Sequence, residues 1–92
     1  MNCDKLWKGL INKRAVIDTN TSYLYIGTLV KTDRDFVVLE DVDVHDIKEG
    51  ASTKEKYILE VKKYGIKANR KKATILFDKI VSFSALDSVI EY

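Results

Sequence analysis

Six cations fall between positions 62 and 72: Lys62, Lys63, Lys67, Arg70, Lys71 and Lys72, with no acidic residue among them. Ammonium and guanidinium groups at this density neutralise consecutive phosphates, and Tyr64 within the run supplies a ring on which an unpaired base stacks. The chemistry on offer is RNA backbone binding. A plainer account also fits, in which the run is a solvated loop beside a helix end, where cations favour the negative end of the helix dipole.

Asp41, Asp43 and His45 alternate. In an extended strand they point to one side, and two carboxylates with an imidazole can hold a divalent cation. Val42 and Val44, between them, explain the same spacing as a half-buried strand with one wet face. His45 is the only histidine, so no metal site is expected. Cys3 is the only cysteine, and pairing it with His45 as nucleophile and base would lack an orienting group and an oxyanion hole. No enzyme, and no cofactor, is expected. Tyr23 and Tyr25 share a face with Gly27, and core or interface packing is favoured for them over base stacking.

Ninety-two residues suffice for one hydrophobic core, so a single domain spanning 1–92 is expected. Apolar residues make up 46% and charged residues 33%, a globular balance. The net charge of +2 does not by itself imply nucleic acid, but its distribution is two-sided. Glu40, Asp41, Asp43, Asp46 and Glu49 form an acidic stretch opposed to the basic one. The N-terminus lacks a basic stretch followed by a long apolar run, and no segment approaches bilayer length, which predicts a chain neither secreted nor embedded in a membrane. A lone cysteine fits a reducing cytoplasm.

The elements that must position these residues follow from periodicity. Leu6, Trp7, Leu10 and Ile11 recur at helical spacing, predicting a helix over 4–12 with Asp4 as its N-cap. Residues 14–18 read as a strand that ends in the turn-rich Thr19-Asn20-Thr21-Ser22. The run from Tyr23 to Val30 is almost continuously apolar, aromatic or β-branched, so both its faces must be covered, and Gly27 marks a sharp bend. Asp33-Arg34-Asp35 is a turn, and Phe36 to Val44 is the returning strand. Tyr57, Ile58, Val61 and Tyr64 share one helical face with Gly65 as a stop, although 57–61 also suits a strand. Thr74–Phe77 and Ile80–Phe83 are short strands flanking Asp78-Lys79, and Ser84 with Asp87 resembles a capping box opening a last helical turn through Val89.

This order resembles the Sm and LSm family, to which the bacterial Hfq proteins belong, and the chain is read as a bacterial-type member. The family's first motif has the form G-x-L-x-x-x-D-x-x-M-N, and Gly27, Leu29, Asp33 and Phe36 stand at its glycine, leucine, aspartate and methionine positions. The resemblance covers roughly Leu6 to Val42. Where the family places its uridine-contacting asparagine this chain has Val37, which has no amide to read a base edge. The second motif, a strand, Arg-Gly and a further strand, looks like Leu76-Phe77-Asp78-Lys79-Ile80, without the arginine or the glycine.

The resemblance implies a mainly β fold: a small, strongly bent, five-stranded Sm-like (SH3-like) barrel with an N-terminal helix, here with a helical insertion between strands 3 and 4. It also implies a homo-oligomeric ring formed by pairing edge strands. The nearly uncharged strand Ile80, Val81, Ser82 and Phe83 is independently an edge that invites another chain. The expected function is RNA binding with non-standard specificity through Lys62, Lys63, Tyr64, Lys67, Arg70, Lys71 and Lys72, with Asp33 and Phe36 shaping a loop without reading a base. The alternative is a protein-interaction module that uses the acidic 41–46 stretch.

Overall fold

The computed structural model describes residues 4–50 and 53–91. Cys3 and the Asp4 side chain lie outside that description, and with them the Cys3–His45 pairing and the Asp4 cap.

Five antiparallel strands form one sheet: β1 (Arg14–Thr19), β2 (Tyr23–Thr32), β3 (Phe36–Asp46), β4 (Arg70–Leu76) and β5 (Ile80–Ala85). Their order is β4-β3-β2-β1-β5. An N-terminal helix, α1 (Asp4–Lys8), precedes them, and a second helix, α2 (Lys54–Tyr64), lies between β3 and β4.

The expected barrel is not closed by hydrogen bonds, because β4 and β5 are the two outer strands of the sheet. Its curvature follows from connectivity. Leu76 pairs with Phe36 at the start of β3. Ile80 pairs with Thr19, close to Tyr23, whose partner is Asp46 at the far end of β3. In a flat sheet those sites would lie more than roughly 30 Å apart along the strands. Four Cα steps from Leu76 to Ile80 span at most about 15 Å. A 3₁₀ turn over Phe77–Lys79 makes the crossing, so the sheet must curl until its edges approach.

Two bulges supply the bend. Thr28 pairs with Glu40 and Ile26 with Asp43, so Gly27 on β2 faces both Asp41 and Val42 on β3. Asp41 takes φ 51° to absorb the extra residue. A Cβ on Gly27 would stand 3.0 Å from the Glu40 carbonyl oxygen and 3.1 Å from the Val42 Cα, which is why the bend carries glycine. On β2 the register slips again between Leu29 and Lys31.

The bulge at Asp41 also changes which face β3 presents. Val37 and Leu39 point into the inner core before it, and Val42 and Val44 do so after it. Alternation has shifted by one residue, which sends Asp43 and His45 to the other face. Both faces of β2 and of neighbouring β1 are covered. Inside, Trp7, Ala15, Ile17, Leu29, Val37, Leu39, Val42 and Ile75 form one cluster. Outside, Val16, Leu24 and Ile26 pack beneath Tyr57, Ile58 and Val61 of α2, together with Leu86. Two-sided burial explains the unbroken apolar run in β2.

Trp7 fills the space between the sheet edges. Its ring stacks on Phe83 at 3.7 Å between centroids and meets Phe77 at 5.5 Å. Several sequence expectations need correction here. The first helix ends at Lys8 rather than Asn12, because the chain tightens into turns through Gly9 and places Asn12 at φ 67°. Of the residues at helical spacing, Trp7 is buried and Leu6 is 61% exposed. Ser84 does not cap a helix, since β5 continues to Ala85 and the following 3₁₀ turn, Leu86–Ser88, has no side-chain cap. Phe77 belongs to the crossing turn, not to a strand.

α2 settles the alternative at 57–61 in favour of helix. Thr53 accepts the Lys56 N–H at its N-terminus, and Gly65 ends it at φ 97° while donating to the Val61 carbonyl. Its first turn is fixed by Lys54, whose Nζ donates to Asp18 Oδ1 at 2.5 Å, to the Thr21 carbonyl at 2.8 Å and to the Thr19 carbonyl at 3.0 Å. All three ammonium donors are therefore used against the β1–β2 turn.

Candidate nucleic-acid interface

Of the residues that carry the family resemblance, Asp33 and Phe36 sit at the β2–β3 turn, whereas Gly27 lies at the bend in the middle of β2. The Asp33 N–H donates to the Phe36 carbonyl at 2.8 Å, and Asp33 Oδ1 accepts the Arg34 N–H at 2.6 Å, so Asp33 shapes the turn from within. The Phe77 N–H donates to the Asp35 carbonyl at 3.0 Å, which docks the crossing turn onto the 33–35 turn. Leu29 and Val37 are fully buried. Val37 pairs with Ile75 and contributes to the core, so it is withdrawn from any ligand as well as lacking an amide.

The basic residues lie elsewhere. β4 begins at Arg70, not at Thr74, so Arg70, Lys71 and Lys72 sit on a strand rather than in the expected loop. Arg70 pairs with Val42 and Leu76 with Phe36, at opposite ends of β4. Six steps of about 3.3 Å separate them by roughly 20 Å. The basic run and the motif turn are thus distinct surfaces.

Nor are the cations equivalent. Lys62 lies 3.8 Å from Asp87 Oδ1 and donates to the Asp87 carbonyl, while Lys72 lies 3.9 Å from Glu40. Lys63, Lys67, Arg70 and Lys71 form no ion pair with a described carboxylate, and all four are exposed. Tyr64, at the last position of α2, is 73% exposed, with Lys63 Nζ 5.5 Å from its ring centroid. An exposed ring with one cation over it and three more exposed cations thus mark the segment from the end of α2 to the start of β4. That segment is the junction of α2 and the β4 edge.

Asn69 has a role that sequence reasoning missed. Its Oδ1 accepts the Val44 N–H at 3.0 Å and its Nδ2 donates to the Val44 carbonyl at 2.9 Å. The side-chain amide imitates a strand residue, extending the β3–β4 ladder past Arg70. Its own N–H donates to the Val42 carbonyl at 2.8 Å. Peptide mimicry by one side-chain amide has no spacing signature, which is why the sequence alone hides it.

The acidic stretch is not one surface. Asp43 is 3% exposed and its Oδ2 accepts the Tyr57 hydroxyl at 2.6 Å. His45 stacks on Tyr57 at 3.7 Å and 6°, and its buried Nε2 finds no partner among the described residues. Asp46 Oδ1 accepts the Lys48 N–H, and hydrogen bonds from Ser22 and Lys48 lower the Asp46 carboxyl below its ordinary range. The alternation of Asp41, Asp43 and His45 fails at the bulge, which leaves Asp41 exposed on its own. No group of three or more metal-ligating side chains is assembled among the described residues. Tyr23 is 43% exposed, with its ring 6.5 Å from that of the half-buried Tyr25, which packs against the inner cluster.

Both outer strands expose apolar side chains: Leu76 is 52% and Val81 61% exposed. No helix of the described residues is long and apolar enough to cross a membrane.

Comparison with protein-family models and with curated proteins returned no match. Among solved structures, the chain is similar to the Pyrococcus abyssii Sm protein in complex with a uridine heptamer, at 15% identity and a TM-score of 0.61. The alignment covers 92% of this chain and 99% of that one. The fold is therefore Sm-like: five antiparallel strands preceded by a helix.

Proposed function

We propose that this chain is an Sm-like binding protein that assembles into a homo-oligomer and holds RNA at the junction of α2 and β4. The observation that carries the reading is the separation of two surfaces. Lys63, Tyr64, Lys67, Arg70 and Lys71 remain exposed, while Val37, at the position that resemblance assigns to uridine, is buried. The similar Sm protein was solved with a uridine heptamer, which makes RNA the ligand class to test first. Assembly is supported by two unpaired strand edges bearing Leu76 and Val81, which suit edge-to-edge pairing into a ring. α2 would then decorate one face of that ring, repeating a weak site around it. On this reading the protein acts by binding, without catalysis or cofactor, in the cytoplasm.

Salt titration tests the reading. Four phosphate contacts per subunit predict a slope of log affinity against log salt of about −3 for single-stranded RNA. Changing Lys63, Lys67, Arg70 and Lys71 together to Gln should abolish that slope and most of the affinity. An RNA affinity indifferent to both changes would remove the reading.

The protein-interaction alternative keeps a smaller surface, because Asp43 is covered by Tyr57 of α2 while Asp41 stays exposed.

A further inference from the structure

Resting on the RNA reading above, we infer that the surface around Tyr64 takes single-stranded nucleic acid with little regard to base identity. Reading a base edge needs a side-chain amide or a bidentate donor free to face it. The one amide in the basic run, on Asn69, has both its oxygen and its nitrogen committed to Val44. The one guanidinium, on Arg70, already donates from Nη1 to the Asn69 carbonyl at 3.1 Å. What remains are lysine ammonium groups, which act as point charges towards phosphate, and the other Arg70 donors, whose guanidinium is tethered to its neighbour's carbonyl.

Stacking supplies the rest. The Tyr64 ring is 73% exposed, and every unpaired base offers it a face. A base inside a duplex has both faces covered by its neighbours, so a duplex gains only the phosphate contacts. The groove beside the ring is lined by Lys56, Leu59, Glu60, Lys63 and Glu91. Its two carboxylates offset Lys56 and Lys63, so the groove has no net charge with which to attract a backbone.

The test compares fluorescently labelled RNA 15-mers of uridine, adenosine and cytidine with a blunt RNA duplex of the same length, by anisotropy at low salt on the full chain. The three single strands should bind within about fivefold of one another, as sequence-tolerant stacking requires. The duplex should bind at least about tenfold more weakly, and Tyr64→Ala should weaken all three single strands by a similar factor of about ten. Tyr64→Phe should restore them, and an unchanged thermal midpoint would show that both variants fold. A preference above tenfold for one base, duplex binding equal to single-strand binding, or indifference to Tyr64→Ala overturns this inference and leaves the RNA reading standing. Failure of every strand to bind removes that reading and the inference with it.

Discussion

The Tyr57 hydroxyl donates to Asp43 Oδ2 at 2.6 Å, joining α2 to a carboxylate that is 3% exposed. The contact exists because the bulge at Asp41 turned Asp43 outward beneath the helix. A buried carboxylate deprived of its donor is costly. Tyr57→Phe should therefore destabilise the protein by about 2 kcal/mol, although the variant keeps the ring that stacks on His45. Urea unfolding followed by the fluorescence of Trp7, the only tryptophan, measures this. A change under about 0.5 kcal/mol would show that water replaces the hydroxyl without penalty.

The same pair predicts an alkaline dependence. Burial, and then the hydrogen bond to Asp43, push the Tyr57 hydroxyl well above its ordinary pKa of 10.0. The folded state keeps its proton where the unfolded chain has lost it. The contribution is thus complete below about pH 10 and is lost as the pH climbs beyond that value towards the folded-state pKa. Tyr57→Phe lacks the group, so the stability gap between wild type and variant should narrow above about pH 10. A gap independent of pH would contradict the assignment.

Gly27→Ala is expected to be worse than an ordinary glycine replacement in a strand. The new Cβ would meet the Glu40 carbonyl oxygen at 3.0 Å and Val42 at 3.1 and 3.2 Å, and the first two contacts are with backbone. Overpacking of this kind costs about 1–3 kcal/mol. Chemical shifts should move most around Asp41, where the bulge would have to yield. Calorimetry showing an unchanged or raised melting temperature would refute this account of the bend.

Val81→Arg places a charge on an outer strand where the native side chain is 61% exposed, so the isolated fold should tolerate it. If copies join through β5, light scattering should show the variant as monomer at concentrations where wild type is assembled. Equal masses for the two would exclude β5 as the joint.

Much of the sheet was legible in the sequence, because Tyr23–Val30 and Phe36–Val44 carry strong β signals and Gly27 has no other use in such a run. The candidate site was less legible. β4 reaches back to Arg70 because an outer strand pairs through its backbone and needs no apolar alternation there. Charge spacing identified the cations but not their partners: Asp87 beside Lys62 and Glu40 beside Lys72 are brought close only by folding. The acidic alternation misled for one reason, which is that a period of two holds only in an unbroken ladder, and the extra residue at Asp41 breaks it. Asp43 therefore reads as wet in sequence and is buried in fact.

The turn over Phe77–Lys79 does more than shorten a path. It fixes, on one rigid body, the angle between two outward-facing strand edges. Copies joined edge to edge would each rotate the next by that same angle, so this turn would set whether the series closes, and after how many members. Lengthening it by one or two residues should then alter the stoichiometry, or convert a closed ring into an open filament, before it alters the packing of any single copy.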